Sequence, residues 1–236
     1  MIQFSQVQYP ESDGKPMGET DEHRQEMVRH IELLEDFFAG QQVYVSGNLL
    51  VCYEQGNPKK YVVPDAFVAK GVAPKKRRVY KIWVEGKAPD VVIETTSRKT
   101  RVKDTRDKPQ LFARLGVKEY FLFDPDQEYL DPQLQGYRLA ATTFEPILSG
   151  PSDVTGLANC LISEELGLRL SVGDGALQFY RLDTGDRLLT RAERAARDAA
   201  RAEREATRAD REALARQQVE SELAKLREEL ARRPPN

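Results

Sequence analysis

The feature that most constrains the fold is the apolar run Val91-Val92-Ile93, which leads directly into the acidic residue Glu94. A short run of branched apolar residues is typical of a strand buried on both faces of a sheet. Other strand-like segments fall at 43–51, 61–68, 118–123 and 137–139, and helical patterns fall at 21–39 and 104–115. Strands with helices between them predict an α/β fold in which helices flank a mixed sheet.

The first 185 residues are expected to form one domain. Thr20 and Asp21 can cap a first helix, whose apolar residues recur every three or four positions up to a stop at Gly40. The apolar segments 43–45 and 49–51 flank Ser46-Gly47-Asn48, which predicts a hairpin. Residues 141–185 contain short strand-like pieces separated by glycines, and we expect them to add a small β extension to the same domain.

Residues 186–236 show a different pattern, in which alanine recurs at alternating steps of four and three amid dense arginine and glutamate. The seam consists of Leu188, Ala192, Ala195, Ala199, Ala202, Ala206, Ala209 and Ala213. This spacing predicts one long C-terminal helix and is typical of a coiled coil, whose partner would be a second copy of the chain or another helical protein. A solvated single helix held by charge pairs four residues apart is the alternative.

The composition bears on the cellular compartment of the protein and on how it could bind DNA. The two cysteines, Cys52 and Cys160, do not have metal-ligand spacing and make no disulfide framework, which favours a reducing cytoplasm. The first residues lack the pattern of a secretion signal, and no run approaches the length of a membrane span. Since the net charge is only -2, DNA binding would need a local basic patch, for which residues 75–78 and 98–108 are the candidates.

Two acids stand in apolar, strand-like settings, Asp65 in YVVPD and Glu94 in PDVVIE. A buried carboxylate is costly unless it is paired or binds a cation. Asp90 and Glu94 share one face of a strand, but at ~3.3 Å per residue their Cα atoms lie roughly 13 Å apart, too far for one ion. Asp65 and Glu94 can lie side by side if their strands pair, so this pair is the candidate metal site.

The stretches PDVVIETTSRKT and LGVKEYFLFDP, with Asp104 and Lys108 between them, give the region from Val43 to Leu139 its resemblance to a known family. It resembles the Uma-two family of restriction endonucleases, which belongs to the PD-(D/E)xK nuclease superfamily. The resemblance implies a restriction-endonuclease-like fold. It also implies that Asp65 is the metal-binding aspartate and Glu94 the acidic residue of the third motif, together holding Mg²⁺ or Mn²⁺.

The sequence departs from the superfamily pattern at Thr96, where the third motif has a lysine. A hydroxyl group cannot supply the positive charge that positions a water molecule and stabilises a pentavalent phosphate. The family resemblance implies that a lysine on the following helix substitutes, which points to Lys108. Pro109 biases Lys108 away from helical geometry, and Lys99 and Lys103 remain alternatives.

The superfamily often adds an acid from the first helix. The candidates there are Glu22, Glu26, Glu32 and Glu35, which the sequence does not distinguish. His23 and His30 lie on one face of that helix, but no cysteine or third histidine completes a zinc site, so we expect structural roles for both.

The sequence leaves two main functions open. The first is a Mg²⁺-dependent endonuclease that hydrolyses phosphodiester bonds in DNA, with Asp65, Glu94 and Lys108 as catalytic residues. The second is a catalytically inactive nuclease-like module that binds DNA or a protein partner, the latter through the helical tail. A structural unit without any ligand is a third reading, and binding of a divalent ion would exclude it.

Overall fold

The computed structural model describes residues 8–12, 20–149 and 160–232. The chain divides into two compact units, Met1–Leu188 and Leu189–Asn236. The first unit contains all the strands, and the second contains the long C-terminal helix. The helices are α1 (Asp21–Phe37), α2 (Ile82–Glu85), α3 (Lys108–Leu115) and α4 (Arg191–Ala231), and a π-helical turn, Lys103–Asp107, leads into α3.

Twelve strands form three sheets within the described residues. The strands are β1 (Val43–Ser46), β2 (Val51–Cys52), β3 (Tyr61–Val62), β4 (Ala66–Lys70), β5 (Tyr80–Lys81), β6 (Val91–Thr95), β7 (Glu119–Phe123), β8 (Leu134–Ala140), β9 (Thr143–Pro146), β10 (Leu161–Ser163), β11 (Leu168–Gly173) and β12 (Ala176–Arg181). The main sheet has the order β1-β4-β6-β7-β8-β9, and two smaller sheets have the orders β10-β11-β12 and β3-β2-β5. Only β6 and β7 are parallel neighbours in the main sheet, so the predicted mixed sheet flanked by helices is confirmed.

The central strand β6 is buried along its whole length, as its apolar sequence predicts. Val91 and Ile93 join the core beneath α1 and the β10-β11-β12 sheet. Val92 faces the opposite core, where Phe112 of α3 packs. Because side chains alternate along a strand, Glu94 lies on the same face as Val92 and therefore on the side of α3.

Helix α1 begins as predicted, because the Thr20 side chain accepts a hydrogen bond from the backbone N–H of His23 at 3.2 Å. It ends at Phe37, before Gly40, whose φ of 81° is readily adopted only by glycine.

The predicted hairpin between β1 and β2 is wrong. Val45 of β1 pairs with Val68 of β4, whereas Val51 of β2 pairs with Val62 in a separate sheet. The reason is a close backbone approach at Gly47, where a Cβ atom would lie 1.9 Å from the carbonyl oxygen of Asp65. The glycine lets the segment after β1 lie against residues 64–65 instead of turning back on itself.

Helix α4 extends over 41 residues. It begins with a capping box, in which the Thr190 backbone N–H donates to the Glu193 carboxylate at 2.8 Å and the Glu193 N–H donates to the Thr190 hydroxyl at 3.2 Å. Ion pairs four residues apart, such as Arg201 with Glu205, lie along its surface. No helix in the described part of the chain is both long and apolar enough to cross a membrane.

Candidate active site

The strand register brings Asp65 and Glu94 together. Ala66 of β4 pairs with Ile93 of β6 in antiparallel register, so Asp65, which precedes β4, stands opposite Glu94. The backbone N–H of Asp65 donates to Oε2 of Glu94 at 3.2 Å. The backbone N–H of Thr95 donates to Oδ2 of Asp65 at 2.8 Å. Each carboxylate is thus held by the strand that carries the other.

The two carboxylates differ in exposure. The Glu94 side chain is fully buried, whereas 15% of the Asp65 side chain is exposed. Within the described residues, Oε1 of Glu94 and the hydroxyl of Thr96 are buried without a hydrogen-bond partner. Buried polar atoms are almost always paired in folded proteins, so these two atoms indicate a place where water or a ligand belongs.

Lys108 contributes the positive charge of the site. Its Nζ atom lies 2.8 Å from Oε2 of Glu94 and 2.9 Å from Oδ1 of Asp104. Both of these carboxylates are fully buried, and Lys108 itself is only 16% exposed. The alternatives, Lys99 and Lys103, have exposed side chains. Among the three candidate lysines, the structure therefore brings Lys108 to the acids.

The backbone around Lys108 explains how a residue before proline remains helical. Lys108 has φ -64° and ψ -43°, and its N–H donates to the carbonyl of Lys103, which is the five-residue spacing of a π-helix. Pro109 has no N–H for the next carbonyl in this series, that of Asp104. The Tyr120 hydroxyl of β7 donates to that carbonyl at 2.8 Å instead. Tyr120 thus anchors the turn that presents Asp104 and Lys108.

His23 is a residue at the site whose place the sequence did not predict. It lies in the first turn of α1, is 2% exposed, and its Nε2 atom is 3.5 Å from Oδ2 of Asp65. The expected acid from this helix is not the residue that meets Asp65. Glu26 instead pairs with His30 at 3.2 Å and accepts from the backbone of Leu177. The only available signal for His23 was its position three residues after the Thr20 cap, which turns it inward.

The charges at the site shift the pKa values of its members in different directions. Burial raises the pKa of Glu94 well above its ordinary value; Lys108 lowers this pKa, and the neighbouring carboxylates of Asp65 and Asp104 raise it. Burial also raises the pKa of Asp104. Burial acts in the same sense on Asp65, but His23, Lys108 and the Thr95 N–H together lower its pKa. Burial favours neutral Lys108, yet the three carboxylates raise its pKa.

The site suits a hard divalent cation. The carboxyl groups of Asp65, Glu94 and Asp104 surround one ammonium group and supply oxygen atoms, the ligand atoms that such ions prefer. No group of three or more histidine, cysteine, aspartate or glutamate residues forms a metal cluster within the described ranges. Mg²⁺ does not require one, because it is commonly held by one or two carboxylates together with water and substrate phosphate. Asp65 and Glu94 would supply those two carboxylates.

Asp90 lies in a different cluster. Its carboxylate accepts from Nζ of Lys87 at 2.6 Å and from the backbone N–H of Lys70 at 2.7 Å, and Lys118 lies 3.1 Å away. The carboxylate is thus held by two ammonium groups and one backbone N–H, which come from three segments. Asp90 therefore has a structural role, in agreement with its exclusion by strand geometry.

Comparisons with known proteins agree with the nuclease-like features of the first unit. A family model, Uma2, described as "Putative restriction endonuclease", matches residues 5–173. No curated protein matches. A solved structure of a "putative nuclease belonging to DUF820" from Anabaena variabilis ATCC 29413 is 16% identical, with 64% of this chain and 83% of that chain covered and a TM-score of 0.43. The family match covers well over half of the 236 residues and extends beyond the region of resemblance in the sequence, so the chain belongs to the Uma2 (Uma-two) family.

Proposed function

We propose that the protein is a Mg²⁺-dependent endonuclease that hydrolyses phosphodiester bonds in DNA, with Asp65, Glu94 and Lys108 as its catalytic residues. The observation that carries the proposal is the convergence of these residues from the segment before β4, from β6 and from the start of α3. Family membership supports the reaction class. The contact between Lys108 and Glu94, at 2.8 Å, supports the substitution of Lys108 for the lysine that Thr96 replaces.

Asp65 and Glu94 would hold the metal ion, Mg²⁺ or Mn²⁺. When bound, a divalent ion polarises a phosphate oxygen and lowers the pKa of a bound water molecule. Asp65 is the more exposed of the two acids, so it faces the side from which substrate arrives. Its lowered pKa keeps it ionised at neutral pH, as a metal ligand must be.

Lys108 would orient the attacking water and stabilise the negative charge that develops on the phosphate. Its raised pKa keeps the ammonium group protonated at neutral pH, so Lys108 acts as a fixed charge. Asp104 and Glu94 together hold the ammonium group in place. His23 supports the carboxylate of Asp65 from α1.

The test is hydrolysis of supercoiled plasmid DNA with Mg²⁺ or Mn²⁺. The wild-type chain is expected to nick or linearise the plasmid, and Asp65→Asn, Glu94→Gln and Lys108→Met to lose at least a hundredfold in rate. Asp90→Asn is the matched control, because it also removes a buried carboxylate but lies outside the site. An intact plasmid across a broad range of salt and pH would refute the proposal.

The second candidate is a binding module that has lost catalysis. Thr96 in place of the motif lysine favours it, as does the engagement of the Lys108 ammonium group by two carboxylates. This candidate predicts that Glu94→Gln leaves DNA or protein binding unchanged and that the wild-type chain does not hydrolyse DNA.

For the tail, residues 186–236, we propose a coiled coil with a second copy of the chain or with another helical protein. Exposed apolar side chains on α4 support it, notably Leu214, Val219, Leu223 and Leu226. Leu223→Glu places a charge on this face and is expected to reduce the mass measured by analytical ultracentrifugation. The same mass for both chains, at the monomer value, would exclude self-assembly.

Two free buried cysteines support a reducing compartment, for which we propose the cytoplasm.

A further inference from the structure

The segment between β6 and α3 carries a second feature, the dense positive charge on its outer surface. Exposed cationic side chains follow each other over nine residues. We call these exposed residues the basic ridge; they are Arg98, Lys99, Arg101, Lys103 and Arg106. Glu94 precedes the ridge by four residues, and Lys108 follows it by two. Both chain ends of the ridge are therefore fixed at the candidate active site.

The segment from Arg98 to Asp107 contains five cationic residues and only two acids, Asp104 and Asp107. Asp104 is fully buried and faces Lys108 on the inner side. Asp107 pairs with Arg106 at 2.9 Å. The segment from Arg98 to Asp107 thus presents five cations and one acid to solvent, in a chain whose net charge is -2. This excess of exposed cations over acids is confined to the segment, which adjoins in sequence the site that would act on a phosphodiester.

The backbone of the basic ridge is held in place. The N–H groups of Thr100 and Arg101 donate to the carbonyl of Ser97 at 3.1 and 2.9 Å, which closes a turn. The Thr105 hydroxyl donates to the Arg101 carbonyl at 2.6 Å, and Tyr120 anchors the π-helical turn from below. Fixed backbone means that only side chains must be ordered when a ligand binds, which reduces the entropic cost of binding.

The other basic cluster, at residues 75–78, is bound to its own surroundings. Arg77 is 4% exposed, forms two hydrogen bonds with Glu85 at 2.8 Å and stacks 4.0 Å above the Tyr44 ring. Arg78 pairs with Glu11 at 2.9 Å. Arg77 therefore has a structural role, whereas Arg78 makes only a surface ion pair.

We propose that the basic ridge is the surface that holds the phosphate backbone of duplex DNA next to the active site. This inference rests on the proposed function, whose substrate it positions. Exposed arginine and lysine side chains that are close in sequence can neutralise neighbouring phosphates without reading base edges. Binding through the ridge is therefore independent of DNA sequence and sensitive to salt.

The test uses the full-length chain in EDTA, where hydrolysis is suppressed, and fluorescence anisotropy with labelled 24-base-pair duplexes of two unrelated sequences. The ridge variant is the triple substitution Arg98→Gln, Arg101→Gln, Lys103→Gln. The slope of log K against log salt is expected to fall in magnitude by about 2.7, since each phosphate contact contributes about 0.9. At 0.1 M salt, affinity should fall on the order of 100-fold for both sequences.

The matched control is Lys59→Gln, Lys60→Gln, Lys76→Gln, which removes three exposed charges elsewhere in the same unit. It is expected to leave the salt slope within about one contact of the wild type. A charge-conserving variant, Arg98→Lys with Arg101→Lys, should retain most of the slope. Since all these side chains are exposed, thermal unfolding should change little in any of the variants.

Equal losses in the ridge variant and the control would overturn the proposal, as would a wild-type chain that binds neither duplex. Loss on only one of the two sequences would overturn sequence-independent contact. The outcome is separable from that of hydrolysis. A chain that binds through the ridge but cleaves nothing supports this inference and refutes the endonuclease. A chain that cleaves DNA, but loses as much affinity in the control variant as in the ridge variant, supports the endonuclease and refutes this inference.

Discussion

Replacement of Lys108 by methionine tests the electrostatic arrangement of the site. Methionine keeps most of the length of the side chain but removes the ammonium group, which contacts Glu94 at 2.8 Å and Asp104 at 2.9 Å. Both carboxyl groups are fully buried, so the substitution removes the ammonium group that contacts both of them. Breaking a buried ion pair from one side typically costs about 3–5 kcal/mol, and we expect a loss of that size at pH 8 in the absence of metal.

The loss should depend on pH in a defined direction. Without Lys108, which lowers the pKa values of Glu94 and Asp104, both carboxyl groups in the folded protein titrate still higher. A carboxyl group with a folded pKa above its unfolded value favours folding when protonated, and this stability is lost as pH rises through the folded pKa. Lys108→Met should therefore approach wild-type stability near pH 5 and fall furthest below it at pH 8.

The measurement is urea unfolding followed by circular dichroism, for both chains at pH 5 and pH 8, with and without Mg²⁺. A divalent ion at one hundred times its dissociation constant contributes about 2.7 kcal/mol, and it should stabilise the methionine variant at least as much as the wild type. Equal stability of the two chains at pH 8, or a deficit that grows toward acid, would refute the reasoning.

Three further substitutions separate the site from its supports. Tyr120→Phe leaves the Asp104 carbonyl buried without its donor, which should lower the free energy of unfolding in urea by about 1–3 kcal/mol. It should also slow hydrolysis without weakening metal binding, and unchanged stability would contradict the anchoring role. Asp90→Asn should destabilise the fold by about 3 kcal/mol and leave calorimetric Mn²⁺ affinity unchanged. Gly47→Ala would place its Cβ 1.9 Å from the Asp65 carbonyl, so Mn²⁺ affinity should fall together with stability; wild-type affinity would show that the segment adjusts.

The parts of the fold that follow from periodicity could be predicted from the sequence. The apolar run that forms β6, the capped helix α1 and the long charged helix α4 each repeat a local pattern. Strand pairing between distant segments was harder to predict from the sequence. In sequence, the apolar segments on either side of Gly47 fit a hairpin as well as they fit pairing with other strands. Only the close approach of Asp65 to that glycine shows why they separate.

The candidate site, too, could be predicted from the sequence only in part. Asp65 and Glu94 could be paired from the sequence, because the rise of ~3.3 Å per residue along a strand places Asp90 too far from Glu94 to share one ion with it. Their place opposite each other, and the approach of Lys108, required the three-dimensional arrangement. His23 could not be identified, because nothing in a helical pattern indicates which residue of the first turn meets a loop from another strand.

Titration of the full-length chain with Mn²⁺ by isothermal calorimetry tests the central claim most directly, since it measures ion binding without any nucleic acid. One ion should bind per chain, and Asp65→Asn or Glu94→Gln should weaken its binding at least tenfold, whereas Asp90→Asn should not. Binding of Mn²⁺ with undiminished affinity to both site variants, or no binding to the wild-type chain, would contradict the assignment of Asp65 and Glu94 as the metal ligands.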